Sequence, residues 1–273
     1  MVMGKAGSTR GKRLGRYRLL EQIGEGTTAV VHCAMDPQGR TVAIKELRPE
    51  FAAEPGVRRR LGLEMAAQSR VSSRYVAELI DGDTRGERPY TVSQYIPGTT
   101  LRTLVDSYGP LPSSALLRFG HELATGIADV HAVGVVHHDV TPGNVMVLGG
   151  SPILIDFGVA HDLAAAPITR PGMLIGTPAY LAPELVEGEP AGPPADVFSW
   201  AATLAYAATG RSPFGAGSLH GVCFRILRGA ADLDGLSEPL AGLLRLAFRR
   251  DPATRPSAAW FAGTLGQWAG DVS

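Results

Sequence analysis

Cysteine is nearly absent from this chain, and the two present, Cys33 and Cys223, can build neither a disulfide framework nor the paired spacing of a zinc site. A reducing cytoplasm is the compartment that fits. Long apolar runs are missing too: the best candidate, 195–208, is broken by Asp196, Ser199 and Thr203, so no membrane span is expected. The start, MVMGKAGSTRGKR, has no apolar core behind it and carries Val at position 2, so neither a secretion signal nor N-myristoylation is expected. There is no excess of charge, with 26 basic residues against 26 acidic ones. The first twenty residues hold six basic and no acidic side chains, leaving 20 against 26 in the remainder, so the folded body is not expected to bind nucleic acid. Residues 1–16 read as a basic flexible tail, solvated and mobile. Lysine is scarce as well: Lys5, Lys12 and Lys45 are the lysines, and arginine fills every other cationic position. A lone Lys after the tail, in the apolar setting VAIK, points to a site that needs a compact ammonium.

What is present is ample for folding. The 273 residues are 45% hydrophobic, enough to bury a large core in one domain or two lobes. From Tyr17 to Leu47 the runs YRLLEQI, AVVHCAM and TVAIKEL, separated by turn signals, read as three antiparallel strands. A helix is expected over 55–71, with apolar Val57, Leu61, Met65 and Ala66, and strands over 76–80 and 90–96. After Pro97-Gly98 the segments LRTLVDSY, SSALLRFGHELATGIADVHAVG, ADVFSWAATLAYAATG, LHGVCFRILRG and LAGLLRLAFRR are helical in pattern. The division is therefore a β-rich lobe over 17–96 and a mostly helical lobe over 97–273, an α+β fold.

Gly24-Glu25-Gly26 on a turn between strands lets backbone N–H groups approach a phosphate, although an ordinary hairpin would look the same. Glu64 lies on the helix 19 residues beyond Lys45 and could orient its ammonium, or be an exposed helix charge. His137-His138-Asp139-Val140-Thr141-Pro142-Gly143-Asn144 precedes one short strand, and Ile153-Leu154-Ile155-Asp156-Phe157-Gly158 follows a Gly-Gly turn. Asp139 could accept a proton from a hydroxyl, while Asn144 and Asp156 could supply hard oxygen ligands to Mg2+. The adjacent histidines lack further ligands at a metal-site spacing, and His137 reads as a packed core residue.

From about Tyr17 to Leu265 the chain resembles the eukaryotic-type protein kinase family in its bacterial serine/threonine branch. The resemblance rests on an ordered series: the glycine loop, VAIK, the helix Glu, HHDVTPGN, DFG, GTPAYLAPE at 176–184, ADVFSW at 195–200 and RDPATRP at 250–256. It implies a two-lobed kinase-like fold and an ATP- and Mg2+-dependent (or Mn2+-dependent) transfer of phosphate to Ser/Thr of a protein substrate. A transient homodimer is compatible with it. By resemblance, Gly24 and Gly26 cover the phosphates, Lys45 holds them and pairs with Glu64, Asp139 is the base, and Asn144 and Asp156 hold the metal. Gln94 and Ile96 would contact adenine through the backbone, Val31, Ala43 and Met146 would sandwich it, Glu184 would pair with Arg255, and Asp196 would brace the loop of Asp139.

Four positions depart from the family pattern. Ala29 replaces the third glycine, His138 an Arg that answers activation-segment phosphorylation, Thr141 a Lys that faces the γ-phosphate, and Ser93 a bulkier gatekeeper. Thr169 is the one plausible phosphorylation switch. The missing cations leave room for a nucleotide-binding pseudokinase, and the HxDxxxxN pattern also fits small-molecule phosphotransferases, which lack GTPAYLAPE.

Overall fold

The computed structural model describes residues 12–157 and 178–270. Gly158, Thr169, Gly176, Thr177 and the first eleven residues of the expected tail lie outside the described residues. Contacts divide the chain into two compact units. One holds the described residues up to Val71 together with Ala77–Pro97, the other Ser72–Val76 with the described residues from Gly98 onward.

The first unit is built on an antiparallel sheet of order β1-β2-β3-β4-β6-β5, made of β1 (Arg13–Leu14), β2 (Tyr17–Glu25), β3 (Ala29–Met35), β4 (Thr41–Leu47), β5 (Leu79–Asp83) and β6 (Tyr90–Gln94). Alternation along these strands separates two faces. Tyr17, Leu19, Ala34, Val42, Ile44 and Val92 form a buried cluster on one of them. The β3–β4 turn forms because the Asp36 carboxylate accepts the N–H groups of Gln38 and Arg40 at 2.9 and 2.8 Å, with Gly39 at φ 85°. Two helices follow β4: α1 (Pro49–Ala52) and α2 (Pro55–Gln68), each opened by proline. Leu61 of α2 is buried with Ala29, Leu47 and Ala52, and Val57 and Met65 pack against them.

The helix expected over 55–71 ends at Gln68 and the strand expected over 90–96 at Gln94, and two further boundaries differ from the sequence reading. The sheet begins inside the expected tail, because Leu14 is apolar and joins the cluster of Tyr17 and Leu19 by pairing with Tyr17 across a turn at Gly15, φ 55°. The strand expected over 76–80 is displaced to Leu79–Asp83. Its acidic members are tolerated there because Asp81 accepts hydrogen bonds from Tyr17 Oη at 2.7 Å and Arg16 at 2.8 Å. Val76 itself belongs to the second unit, within which it bridges Leu154 and Tyr75 O accepts the Leu154 N–H at 2.8 Å.

The second unit contains a small sheet of β7 (Thr99–Thr100), β8 (Val145–Leu148) and β9 (Ser151–Leu154). Around it lie α3 (Leu101–Tyr108), α4 (Ser113–Ala132), α5 (Pro183–Glu187), α6 (Pro193–Thr209), α7 (Leu219–Leu227), α8 (Glu238–Ala247) and α9 (Ala258–Gly270). Helix α6 is its axis, buried without interruption from Ala195 to Ala207. Gly120 on α4 permits the close approach of α6, since a Cβ there would lie 2.7 Å from a Leu204 methyl, and its carbonyl accepts the Trp200 indole N–H at 3.2 Å. Among the described residues no helix is long and apolar enough to cross a membrane.

Candidate active site

In the first unit the strand register gathers the candidate nucleotide-binding residues on one sheet face. Val31 stands opposite Lys45, Cys33 opposite Ala43, Lys45 opposite Thr91 and Ala43 opposite Ser93. Residues directly opposed in a ladder share a face, so Val31, Ala43, Lys45 and Ser93 lie together, on the side opposite the cluster of Ile44 and Val92. All four are half-buried, in contrast to the fully buried opposite face. The β2–β3 hairpin ends this face: Gly24 pairs with Val31, and the Gly26 N–H donates to Ala29 O at 2.9 Å. A Cβ on Gly26 would approach the Ala29 carbonyl to 3.5 Å, so the turn is open rather than crowded. Ala29 has a packing reason, for its methyl is buried against Leu47 and Leu61. Glu64 is carried by α2, between the packed residues Leu61 and Met65.

In the second unit the loop of 136–144 is organised by one buried carboxylate. Asp196, at 0% exposure, accepts the N–H groups of His137 and His138 at 2.7 Å each and the His131 Nε2–H at 2.8 Å. Burial alone would raise its pKa, but the His131 hydrogen bond, His137 and the backbone donor hold it below the usual range. His138 sits at φ 65°, sparsely populated for a side-chain-bearing residue, and Asp196 holds it there. His137 is fully buried, which depresses its pKa and keeps it neutral. Its tautomer follows from its partners. Nε2–H donates to the Ile155 carbonyl at 3.2 Å, and Nδ1 accepts the Asp139 N–H at 3.3 Å. The ring also packs on Phe157, centroids 4.6 Å apart.

Asn144 closes the loop. Its Nδ2 donates to Asp139 Oδ2 at 2.7 Å and to Asp139 O at 3.1 Å, which uses both amide protons and leaves the amide oxygen as the group with ligand chemistry. The Asn144 N–H donates to Thr141 O, and its carbonyl accepts the Ile155 N–H, both at 2.9 Å, so the strand leading to Asp156 is tied to the same turn. Asp156 has φ 53°, a second strained position two residues past β9.

A family model described as "Protein kinase domain" matches residues 17–263. The chain belongs to the protein kinase family. Its relatives include "Probable serine/threonine-protein kinase PkwA" of Thermomonospora curvata, 39% identical over 90% of this chain and 33% of that protein. The serine/threonine-protein kinase AfsK of Streptomyces griseus is 34% identical over 90% of this chain and 31% of its own. PknL of Mycobacterium tuberculosis (strain ATCC 25618 / H37Rv) is 33% identical over 88% and 62%. The chain thus spans about a third of the length of the first two. Rad53 1–466 in complex with AMP-PNP matches 90% of this chain and 64% of its own with TM-score 0.76 at 21% identity, which shows the two-lobed α+β kinase fold.

Within this kinase domain, Gln94 ends β6 with its N–H donated to Glu78 O at 2.9 Å, Ile96 is buried, and Met146 lies on β8 opposite Ile153. Thr141 is only 6% exposed and contributes its carbonyl to the turn. Glu184 and Arg255 form a buried two-pronged pair at 2.7 and 2.8 Å. Arg255 spends its remaining donors on the carbonyls of Arg249, Arg250 and Pro194. Tyr180 is buried, and burial pushes its phenol up to about 12.

Two contributors escaped the sequence reading. His131 completes the shell of Asp196, and its signal was a histidine in the last turn of a helix just before the loop. Arg48 binds the glycine hairpin, and only its nearness to VAIK could have marked it. Among the described residues no group of three or more His, Cys, Asp or Glu could hold a metal. The donor set of Asn144 and Asp156 fits a Mg2+ that takes most of its ligands from phosphate and water.

Proposed function

We propose that this kinase domain transfers the γ-phosphate of ATP to Ser/Thr hydroxyls of a cytoplasmic protein substrate, with Mg2+ or Mn2+ bound. The observation that carries the reading is the Asn144 amide clasped to Asp139, on a loop pinned by Asp196. Asp139 is the group that accepts the hydroxyl proton as the substrate oxygen forms its bond to phosphorus and the ADP oxygen leaves. Lys45, paired with Glu64, holds the phosphates, and the hairpin of Gly24 and Gly26 covers them. Val31, Ala43 and Met146 enclose the adenine, with Gln94 and Ile96 bonding it through their backbone. Asn144 and Asp156 would hold the metal, which would supply neutralisation of phosphate charge. The sheet unit and the helical unit act as the two lobes.

Radiolabelled γ-phosphate incorporated into a general protein acceptor tests this. Asp139→Asn should lower the rate by about 10²–10⁴-fold, and Lys45→Met should do likewise. A wild type that binds ATP yet transfers nothing would establish the second reading, a nucleotide-binding signalling module. What favours that reading is Thr141, buried and uncharged where a cation would face the γ-phosphate.

A further inference from the structure

Arg48, the residue after β4, makes three contacts with the β2–β3 turn. Its backbone N–H donates to Thr28 O at 2.9 Å, its Nε donates to Gly26 O at 3.1 Å, and its Nη2 reaches the Glu25 carboxylate. Its carbonyl meanwhile accepts the N–H groups of Phe51 and Ala52, so its own backbone is fixed by the start of α1. Neighbouring Leu47 is buried beside Ala29, which anchors both ends of the contact. The hydrogen bond from Arg48 also holds the exposed Glu25 carboxyl below the usual range.

A trans peptide places its N–H opposite its C=O. With the Gly26 carbonyl held toward Arg48, the Thr27 N–H must point the other way. Gly26 has no side chain to restrict that plane, so the donor from Arg48 is the contact that fixes the direction of its carbonyl. The turn is therefore oriented by an arginine outside it.

We infer that Arg48 is a positioning residue for the glycine hairpin, fixing the Gly26–Thr27 peptide so that the Thr27 N–H is presented to the phosphates of a bound nucleotide. The inference rests on the nucleotide reading above and adds to it the device that orients the turn. Because Arg48 and Glu25 are 28% and 58% exposed as side chains, the bridge contributes little to global stability. Its effect falls on phosphate binding.

The test compares affinity for Mg·AMP-PNP with affinity for adenosine, which lacks phosphates, in wild type, Arg48→Gln and Arg48→Lys. Arg48→Gln should weaken AMP-PNP binding about five- to tenfold, leave adenosine binding unchanged and keep the melting temperature. Arg48→Lys, which retains one donor for Gly26 O, should recover part of the loss. Should Arg48→Gln fail to fold, Glu25→Ala carries the same comparison, with about a twofold loss expected. Equal weakening of both ligands, or no weakening of AMP-PNP, overturns the inference while leaving the nucleotide reading intact. A wild type that binds neither ligand overturns both.

Discussion

The two units hold their candidate chemistry in opposite ways. In the helical unit, the loop of Asp139 is over-determined: a fully buried carboxylate accepts three hydrogen bonds, a neutral histidine is fixed at both ring nitrogens, and Asn144 grips Asp139 twice. In the sheet unit, the glycine hairpin is open and is steadied from outside by a partly exposed arginine. A proton acceptor must keep its angle to a reacting oxygen within tight limits, whereas a phosphate cover must admit and release its ligand. Burial suits the first task and a solvent-screened contact the second.

The largest expected effect comes from breaking the rigid side. Asp196→Ala strands the N–H groups of His137 and His138 and the His131 ring in a buried site. It should cost about 3–5 kcal/mol of stability, read by denaturant unfolding, and lower turnover by more than tenfold in the fraction that folds. Adenosine binding by that folded fraction should persist, and its loss would show that the loop and the sheet face are not separable.

Next comes the buried pair of Glu184 and Arg255. Glu184→Gln leaves the Arg255 guanidinium, buried with all its donors engaged, without its counter-charge. About 2–4 kcal/mol should be lost, and the melting temperature should fall by several degrees. An unchanged melting curve would contradict the account of this pair as a buried pin.

A smaller effect depends on pH. The folded pKa of His137 lies below the unfolded value of about 6.5, so in the interval between them the unfolded chain binds the extra proton. Stability from this group is fully present above pH ~6.5 and is lost as pH falls through the folded value. Melting temperature should therefore decline below pH ~6.5. His137→Phe, though less stable overall, should show a flatter profile there, and an equally steep one would assign the decline to other groups.

The mildest change sharpens the description of the sheet face. Ser93 sits opposite Ala43 with a short side chain on the face that carries Lys45. N6-benzyl-ATP should serve as donor with an efficiency within about tenfold of ATP, and Ser93→Met should abolish its use while sparing ATP. Rejection of the bulky analogue by both proteins would mean that neighbours fill the space.

Much of the architecture was legible before any coordinates. The alternation of TVAIKEL and AVVHCAM predicted paired strands, and their register then aligned Val31 with Lys45. The segments read as helical match α2, α3, α4, α6, α7 and α8 within a few residues of their ends, whereas α1, α5 and α9 were not among them. The short β5 was misplaced because a segment reading LIDGD looks unlike a strand until Tyr17 and Arg16 are there to satisfy Asp81. Leu14 reads as tail because its neighbours are basic, and only its packing with Tyr17 explains its place in the sheet.

The sequence by itself determined which chemical groups are available: one lysine in an apolar strand, the acids Asp139 and Asp156, the amide Asn144, and the residues that stand where cations are usual. Local periodicity and motif spacing are enough for that, since they depend on neighbours along the chain. Tertiary structure alone decided how those groups are held. Asp196 meets His131 across 65 residues, Glu184 meets Arg255 across 71, and Arg48 reaches back 22 residues to Gly26. Such contacts follow from which buried polar groups must find partners once the core has formed, and no local pattern encodes that choice.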